Sequence, residues 1–365
     1  MKRKITSESV TEGHPDKICD KVSDKILDTA LTSDPNSKMA VECTIKDNLI
    51  FIYGEATTGA KLDYEKIAKE VLKDIGYNEE FNVIVKVSEQ SREINAAVEK
   101  DEISAGDQGI MFGFATNETK EYMPLPILLA NKLTFQLAKV RKEDSNSPLM
   151  PDGKSQVTVE YEDNVPKRID TIIIASQHIE NISQEALKKY IKENVIDVVI
   201  PKEYVDENTE ILINTSGSFI VGGPYGDSGT TGRKIVVDSY GGSAKVGGGC
   251  FSSKDPSKVD RSAAYYARYV AKNVVYNNLC DMCEIGVSYA IGSNKPVSVN
   301  IETFNTNKVL MEEIYKFVND NFNFNVDNMI NELQLQRPMY YDIASYGHFG
   351  RQDINLPWER IKNII

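Results

Sequence analysis

One order of elements, a helix, two alternating strands and a second helix, recurs three times along the 365-residue chain, at intervals of about 120 residues. In the first unit, Pro15 suits the opening position of a helix, and Ile18, Val22 and Ile26 recur at helical spacing. Met39–Lys46 and Leu49–Glu55 then alternate apolar and polar residues around an Asp47-Asn48 turn, which predicts a hairpin. Asp63 caps a helix carrying Ile67, Val71 and Ile75 and closed by Gly76; Phe81, Val83, Val85 and Val87 give one more strand. The second unit reads as a helix over 126–142, strands at Gln156–Tyr161 and Arg168–Ser176 about Asp163-Asn164, a helix with Leu187, Ile191 and Val195, and a short strand near Ile211. The third gives a helix over 260–279, strands at 283–291 and 297–304, and a helix over 307–322. Each unit has a sheet with one face to bury and helices to cover it, so the fold class is α+β. Three such layers pack around a pseudo-threefold axis, with sections at 1–100, 101–217 and 218–365. The stretch from Glu89 to Gly106 is polar, lacks sustained periodicity and reads as a mobile loop.

The bulk numbers exclude several roles. A net charge of -12 and a pI near 5.0 argue against nucleic acid or a membrane surface as partner. No apolar run follows Met1-Lys2-Arg3-Lys4-Ile5-Thr6, so no signal peptide is expected, and no stretch is long enough to cross a bilayer. Five scattered cysteines in a chain too large to need disulfides suggest the reducing cytoplasm. Cys280 and Cys283 form a C-x₂-C pair, but no second pair or nearby His completes a zinc site, and the pair reads as structural.

Against that acidic background, one segment is locally positive. Residues 233 to 261 hold Arg233, Lys234, Lys245, Lys254, Lys258 and Arg261 against only Asp238, Asp255 and Asp260. The same segment contains Gly247-Gly248-Gly249, which costs backbone entropy and is expected where the chain must approach a ligand closely. Together they suggest a focused anion site, best filled by a polyphosphate: lysines act as point charges, and Asp260 is a candidate ligand for Mg²⁺. The plain alternative is a glycine-rich surface loop with solvated charges.

Other short stretches carry the same chemistry. His14 and Asp16 lie at the mouth of the first helix, where a carboxylate is favoured by the helix dipole and where a histidine beside it also makes a compact metal and phosphate site. Asp152-Gly153-Lys154 reads as a turn ahead of the central hairpin. Phe219, flanked by Gly217-Ser218 and Gly222-Gly223, suits stacking on a flat ring as well as core packing. Ser104 to Gly109 is a further small-residue turn.

Taken together, Gly13-His14-Pro15-Asp16-Lys17, the 106–113 stretch (Gly-Asp-Gln-Gly-Ile-Met-Phe-Gly) and the 247–261 segment resemble the S-adenosylmethionine synthetase (methionine adenosyltransferase) family. The resemblance runs from about Thr6 to Glu359 and takes in Tyr346 to Arg351 and Pro357-Trp358-Glu359. It implies three pseudo-repeated α/β-sandwich domains, and a homodimer with shared active sites assembled into a dimer of dimers. It implies the attack of methionine sulfur on C5′ of ATP, with release and hydrolysis of tripolyphosphate, aided by a pair of Mg²⁺ ions and by K⁺. By the same resemblance His14, Lys154, Arg233, Lys254 and Lys258 are catalytic. ATP is contacted by His14, Asp107, Asp152, Lys154, Ser218, Phe219, Asp227, Arg233, Lys234, Cys250 and Lys254, and methionine is bordered by Glu55, Ala96, Asp227 and Lys258. Asp16 and Asp260 would hold Mg²⁺, and Glu42 would hold K⁺.

The chain departs from the family pattern at particular residues. The usual Gln-Ser-Pro-Asp-Ile followed by Gln-Gly reads here as Gln90-Ser91-Arg92-Glu93-Ile94-Asn95-Ala96-Ala97, so Ala96 replaces the glutamine assigned to methionine. The loop from Arg92 to Ser104 is shorter than usual, Ser218 replaces an arginine, and Cys250 replaces an alanine. The triphosphate residues are kept and the amino-acid side is altered, which leaves room for relaxed recognition of the amino acid. A regulatory paralogue of the family is the first alternative; retention of His14, Asp16, Lys154, Lys254 and Asp260 together argues against it. A tripolyphosphatase or kinase-like enzyme is the second, and the absence of a Gly-x₄-Gly-Lys-Ser/Thr loop lowers it.

Overall fold

The computed structural model describes residues 2–89 and 103–364. All three units carry the expected helix–hairpin–helix order. The first is α1 (Pro15–Ser33), β2 (Lys38–Lys46), β3 (Leu49–Thr57) and α2 (Tyr64–Ile75), preceded by a strand β1 (Lys2–Val10) and followed by β4 (Asn82–Ser88). The second follows β5 (Gly109–Thr116) and comprises α3 (Leu125–Glu143), β6 (Leu149–Glu162), β7 (Val165–His178), α4 (Gln184–Ile191) and β8 (Glu210–Ile213). The third follows β9 (Gly229–Thr230) and comprises α5 (Val259–Tyr276), β10 (Met282–Tyr289), β11 (Ser298–Glu302) and α6 (Met311–Asn321), with α7 (Val326–Glu332) after it. Local signals act as expected: the Asp63 side chain accepts from Lys66 N–H, and Gly76 closes α2 in the left-handed region at φ 114°. Asp47, in the hairpin turn, has φ 50°.

The sheets, however, are not built unit by unit. Their strand orders are β4-β3-β2-β9, β1-β6-β7-β8 and β11-β10-β5. The strand ahead of each unit's first helix therefore pairs with the hairpin of another unit, always in the same cyclic sense. β1 runs antiparallel to β6 with Val10 opposite Lys154, β5 antiparallel to β10 with Gly113 opposite Ile285, and β9 antiparallel to β2 with Thr44 opposite Thr230. This exchange makes each layer depend on its neighbour, and it was not legible in the sequence. Lys2–Val10 is mostly polar, and its first half is largely exposed. One expectation is corrected here: Asp152-Gly153-Lys154 is not a turn but part of β6, which starts at Leu149 because β7 partners that end, with Leu149 opposite His178 and Gly153 opposite Ser176, while β1 pairs from Lys154 onward.

Two apolar clusters form the interior. One gathers Ile18, Val22 and Ile26 of α1, Val41 and Ile52 of the first hairpin, and Ala263, Val270 and Ile285 of the third unit. The other lies under the central hairpin, with Leu129, Leu133, Val157, Ile172 and Leu187. Cys280 and Cys283 are buried free thiols, the latter in β10.

Helix α5 lies so close to β5 that a Cβ on Gly113 would stand 2.0 Å from the Ala267 carbonyl carbon. Backbone cannot yield as a side chain does. We therefore expect Gly113→Ala to destabilise the fold by about 3 kcal/mol or more, at or above the upper end for overpacking. Gly286→Ala, whose Cβ would meet the Phe112 ring at 3.2 Å, should cost about 1 kcal/mol or less. Urea midpoints of the two variants, measured side by side, check the ranking; equal shifts would contradict it.

Candidate active site

The sequence-predicted residues gather into two groups. The first surrounds the N-terminus of α1. Gly13 is required there, since a Cβ would stand 2.3 Å from Pro151 O. His14 is the N-cap: its Nδ1 accepts from Asp16 N–H at 3.2 Å, which leaves the hydrogen of the neutral ring on Nε2. Burial first, and then the charges of Lys234 and Lys154, lower its pKa to about 3, so the ring is neutral at neutral pH. Asp16 is fully buried. Its Oδ1 accepts from Thr230 N–H at 2.9 Å and lies 3.0 Å from Arg233 Nε, while its Oδ2 takes Lys234 Nζ at 2.6 Å. Burial pushes this carboxyl up, but Lys234 and the Thr230 N–H outweigh it and hold the group below the usual carboxylate range.

Asp152 and Lys154 reach the same region from β6, two residues apart and so on one face of the strand. Lys154 is exposed, whereas Asp152 is buried and accepts from Gly223 N–H at 2.8 Å through Oδ2. Asp152 Oδ1 has no hydrogen-bond partner among the described residues. Phe219 is half-buried, and its backbone is clamped by His178: Phe219 N–H donates to Nε2 at 3.0 Å, and His178 N–H donates to Phe219 O at 3.0 Å. His178 Nδ1 stands 2.7 Å from Ile179 O, which fixes the matching tautomer. Nothing in the sequence singled His178 out. Ser218 and Asp227 are exposed, and Asp227 turns back to its neighbour, accepting from Ser228 N–H.

The second group lies on the 247–260 segment against the first hairpin. Lys254 forms a bridge with Ala40 of β2, and its ammonium sits 2.6 Å from Asp260 Oδ2. Glu42 stands opposite Tyr53 and Glu55 opposite Ala40, so the two carboxylates are diagonal neighbours across β2 and β3. Burial, eased by Lys254 and reinforced by Glu55, pushes the Glu42 pKa up. Lys258 pairs with buried Asp255 at 3.0 Å, and a Cβ on Gly106 would lie 3.3 Å from its stem. Asp107, next in the chain, is exposed.

Several expectations are corrected here. A Cβ on Gly249 would stand 2.0 Å from the Asp260 carboxyl carbon, and one on Gly247 would stand 2.5 Å from Ile110 O. These glycines admit protein atoms, and only Gly248 faces open space. Of the six cations counted in the segment, two belong elsewhere: Lys245 pairs with Glu284, and Arg261 is buried against Asp24. Cys250 is half-buried against Gly232, and burial pushes its thiol up. Ala96 and residues 92–102 of the shortened loop lie outside the described residues. Among the described residues no hydrogen bond or ion pair joins the two groups directly; the contact of Cys250 with Gly232 is where their loops meet.

Models of three protein domains match the chain: S-adenosylmethionine synthetase, N-terminal domain, over residues 2–100; its central domain over 102–219; and its C-terminal domain over 221–360. The chain is 50% identical to the S-adenosylmethionine synthase of Clostridium botulinum, covering 100% of this chain and 98% of that protein. It is 49% identical to the S-adenosylmethionine synthase of Finegoldia magna, over 98% of this chain and 96% of the relative.

Asp152 provides a pH test of the first group. Burial, only partly offset by the Gly223 N–H and Lys154, raises its pKa to about 6. A folded pKa above the ~3.9 of an unfolded aspartate gives stability that is full below pH ~3.9 and is lost as pH rises through about 6. Asp152→Asn cannot titrate and keeps an acceptor for Gly223. Its melting temperature should therefore gain on wild type between pH 4 and pH 7, by the equivalent of roughly 2–3 kcal/mol. A constant difference across that range would show that the burial is relieved in solution.

Proposed function

The chain belongs to the S-adenosylmethionine synthetase family, and from that premise we propose that it makes S-adenosylmethionine from ATP and L-methionine. A sulfur lone pair attacks C5′ of ATP, the C5′–O bond breaks, and its electrons pass to the triphosphate oxygen. Sulfonium and tripolyphosphate result, and water then cleaves the latter to pyrophosphate and phosphate. The observation that carries this reading is the mouth of α1, where buried Asp16 is ringed by Arg233 and Lys234 beside a neutral His14.

A thioether is a neutral nucleophile, so the barrier lies in charge collecting on the leaving group, and fixed donors there lower it most. Lys154, Arg233 and Lys234 from the first group, and Lys254 from the second, supply that stabilisation. His14, neutral with its hydrogen on Nε2, can donate to a phosphate oxygen near C5′ without a proton changing hands. Phe219, its backbone held by His178, offers a ring for adenine to stack on, with Ser218, Asp227, Asp107, Asp152 and Cys250 around the nucleotide. Glu55, Asp227 and Lys258 border the methionine, whose sulfur must be held in line with C5′.

The donor chemistry fits the implied metals. No group of three His, Cys, Asp or Glu among the described residues forms a cage. Each group instead presents a carboxylate beside a cation, Asp16 and Asp260, and these two residues would hold Mg²⁺. Glu42, with Glu55 diagonal to it, would hold K⁺. When bound, such ions neutralise charge on the phosphate chain. The division of the site residues into two groups supports a homodimer in which the first group of one protomer faces the second group of its partner, with two dimers pairing further. None of the described helices is long and apolar enough to cross a membrane, and we place the enzyme in the cytoplasm.

The test is product analysis: folded protein with ATP, Mg²⁺, K⁺ and methionine should yield S-adenosylmethionine, pyrophosphate and phosphate. No sulfonium product over a wide methionine range would sink the proposal. Ala96 bears on selectivity, since a methyl group there forgoes one neutral hydrogen bond, about 0.5–1.5 kcal/mol or roughly threefold to tenfold in affinity. Ala96→Gln should therefore favour methionine over ethionine relative to wild type. An unchanged ratio of kcat/KM for the two would show that this position does not set selectivity.

A further inference from the structure

Helix α1 carries aspartates at positions 16, 20, 24 and 28, one every fourth residue, and all four are buried. Such residues stand about 6 Å apart along a helix, on a slowly turning face. Each accepts backbone N–H groups from a segment outside its own helix. Asp16 takes Thr230, Asp20 Oδ1 takes Gly232 at 2.8 Å, Asp24 Oδ1 takes Ser253 at 3.1 Å, and Asp28 takes Met339, Tyr340 and Tyr341.

The two middle contacts share a further property. Gly232 has φ 83° and Ser253 has φ 81°, both in the left-handed region, and Ser253 occupies it despite its side chain. Each residue immediately precedes a site cation, Arg233 in one case and Lys254 in the other. The direction in which those cations leave the backbone is set by these turns. Asp20 is further held by the Lys17 ammonium at 3.0 Å, and Asp24 by Arg261 Nη2 at 2.8 Å and 2.9 Å. Neither carboxylate can rotate away without stranding a buried charge.

The geometry points to Asp20 and Asp24 as positioning residues for the anion-binding cations: through the N–H groups of Gly232 and Ser253 they lock the two turns from which Arg233-Lys234 and Lys254 project, so that one helix holds both cation loops of a protomer. This rests on the proposed use of those cations to bind triphosphate.

The test compares Asp20→Asn with Asp20→Ala in the full chain, with folding followed by thermal melting. The readouts are Kd for inorganic tripolyphosphate, KM for ATP and for methionine, and amide exchange in the peptide containing Gly232. Asparagine keeps an acceptor oxygen, so exchange at Gly232 should stay slow and the tripolyphosphate Kd should stay within about threefold of wild type. Alanine removes it; exchange should accelerate, and the Kd and the KM for ATP should rise about tenfold or more, with the KM for methionine within about twofold. A merely structural residue would lower the melting temperature and leave the Kd of the folded protein unmoved. That outcome, or equal loss in both variants, overturns the proposal. Where Asp20→Ala does not fold, Asp20→Glu replaces it, since the longer arm displaces the oxygen, with the same expectation and the same overturning result. For Asp24, Ser253→Gly keeps the N–H and removes the strain, so turnover should stay within about twofold and the melting temperature should rise. A tenfold fall in turnover would overturn the assignment of Asp24. If wild type itself fails to bind tripolyphosphate, the proposed reaction fails, and the exchange comparison still decides whether Asp20 fixes the Gly232 turn.

Discussion

The constraint on which the structure depends is that α1 is covered on almost every side while carrying charges on much of its surface. Asp16, Lys17, Asp20, Lys21, Asp24 and Asp28 are all buried in one helix. A buried charge without a partner costs several kcal/mol, so each must be met by an opposite charge or by N–H donors. Lys17 is met by Asp20 and Asp238, and Asp24 by Arg261, whose guanidinium also lies 4.3 Å from the Tyr340 ring centre. The segments that supply such partners include 230–238, 253–261 and 339–341. Their conformations are therefore dictated from the inside, by the helix they cover, rather than by solvent.

The cyclic exchange of strands works toward the same end. β9 is only two residues long, and its pairing with β2 alone would not hold it. It stays because Gly229 presses against Pro15, where a Cβ would stand 2.2 Å from the carbonyl carbon, and because Thr230 donates to Asp16. The strand that closes the first unit's sheet thus also delivers Thr231, Gly232, Arg233 and Lys234 to the mouth of α1. In the same way β1 delivers Val10, with Gly13 and His14 just beyond it, to Lys154 on β6. Sheet closure and site assembly are one event, which is why the chemistry clusters where units meet.

Much of the fold was legible because it is written in local periodicity: the three helix–hairpin–helix units, the Asp63 and Gly76 caps and the Asp47-Asn48 turn need only neighbours in sequence. What was not legible depends on distant partners. β1 is too polar to read as a strand and becomes one because β6 lies beside it; β5 was hidden among glycines that let α5 approach. The candidate site was read from motifs that resemble a known family, not from composition. Charge counting placed Lys245 and Arg261 with the anion site, yet Glu284 and Asp24 hold them elsewhere. The aspartates every fourth residue on α1 were visible as a spacing, but no local rule says that a helix face so charged will be buried. His178 gave no signal at all, because its task is to grip the backbone of Phe219, a contact made across 41 residues.

The state of the cations bears on how the site can work. Arg233 and Lys234 are both turned onto Asp16, but to different degrees: the arginine side chain remains 51% accessible and the lysine 17%. Asp16 has no accessible surface of its own, so it cannot be left unpaired, and unless the proposed Mg²⁺ takes their place the two cations cannot both abandon it for an incoming anion. They can instead present their outward N–H groups while keeping one contact inward. The guanidinium, with donors on several edges, does this without leaving its place. On the proposed reading, an anion arriving here would meet donors already oriented, in a setting where burial has also made His14 neutral and so removed a charge that would otherwise shift with pH. Preorganisation of this kind is paid for during folding rather than during binding, and the interior aspartates of α1 are where the protein pays it.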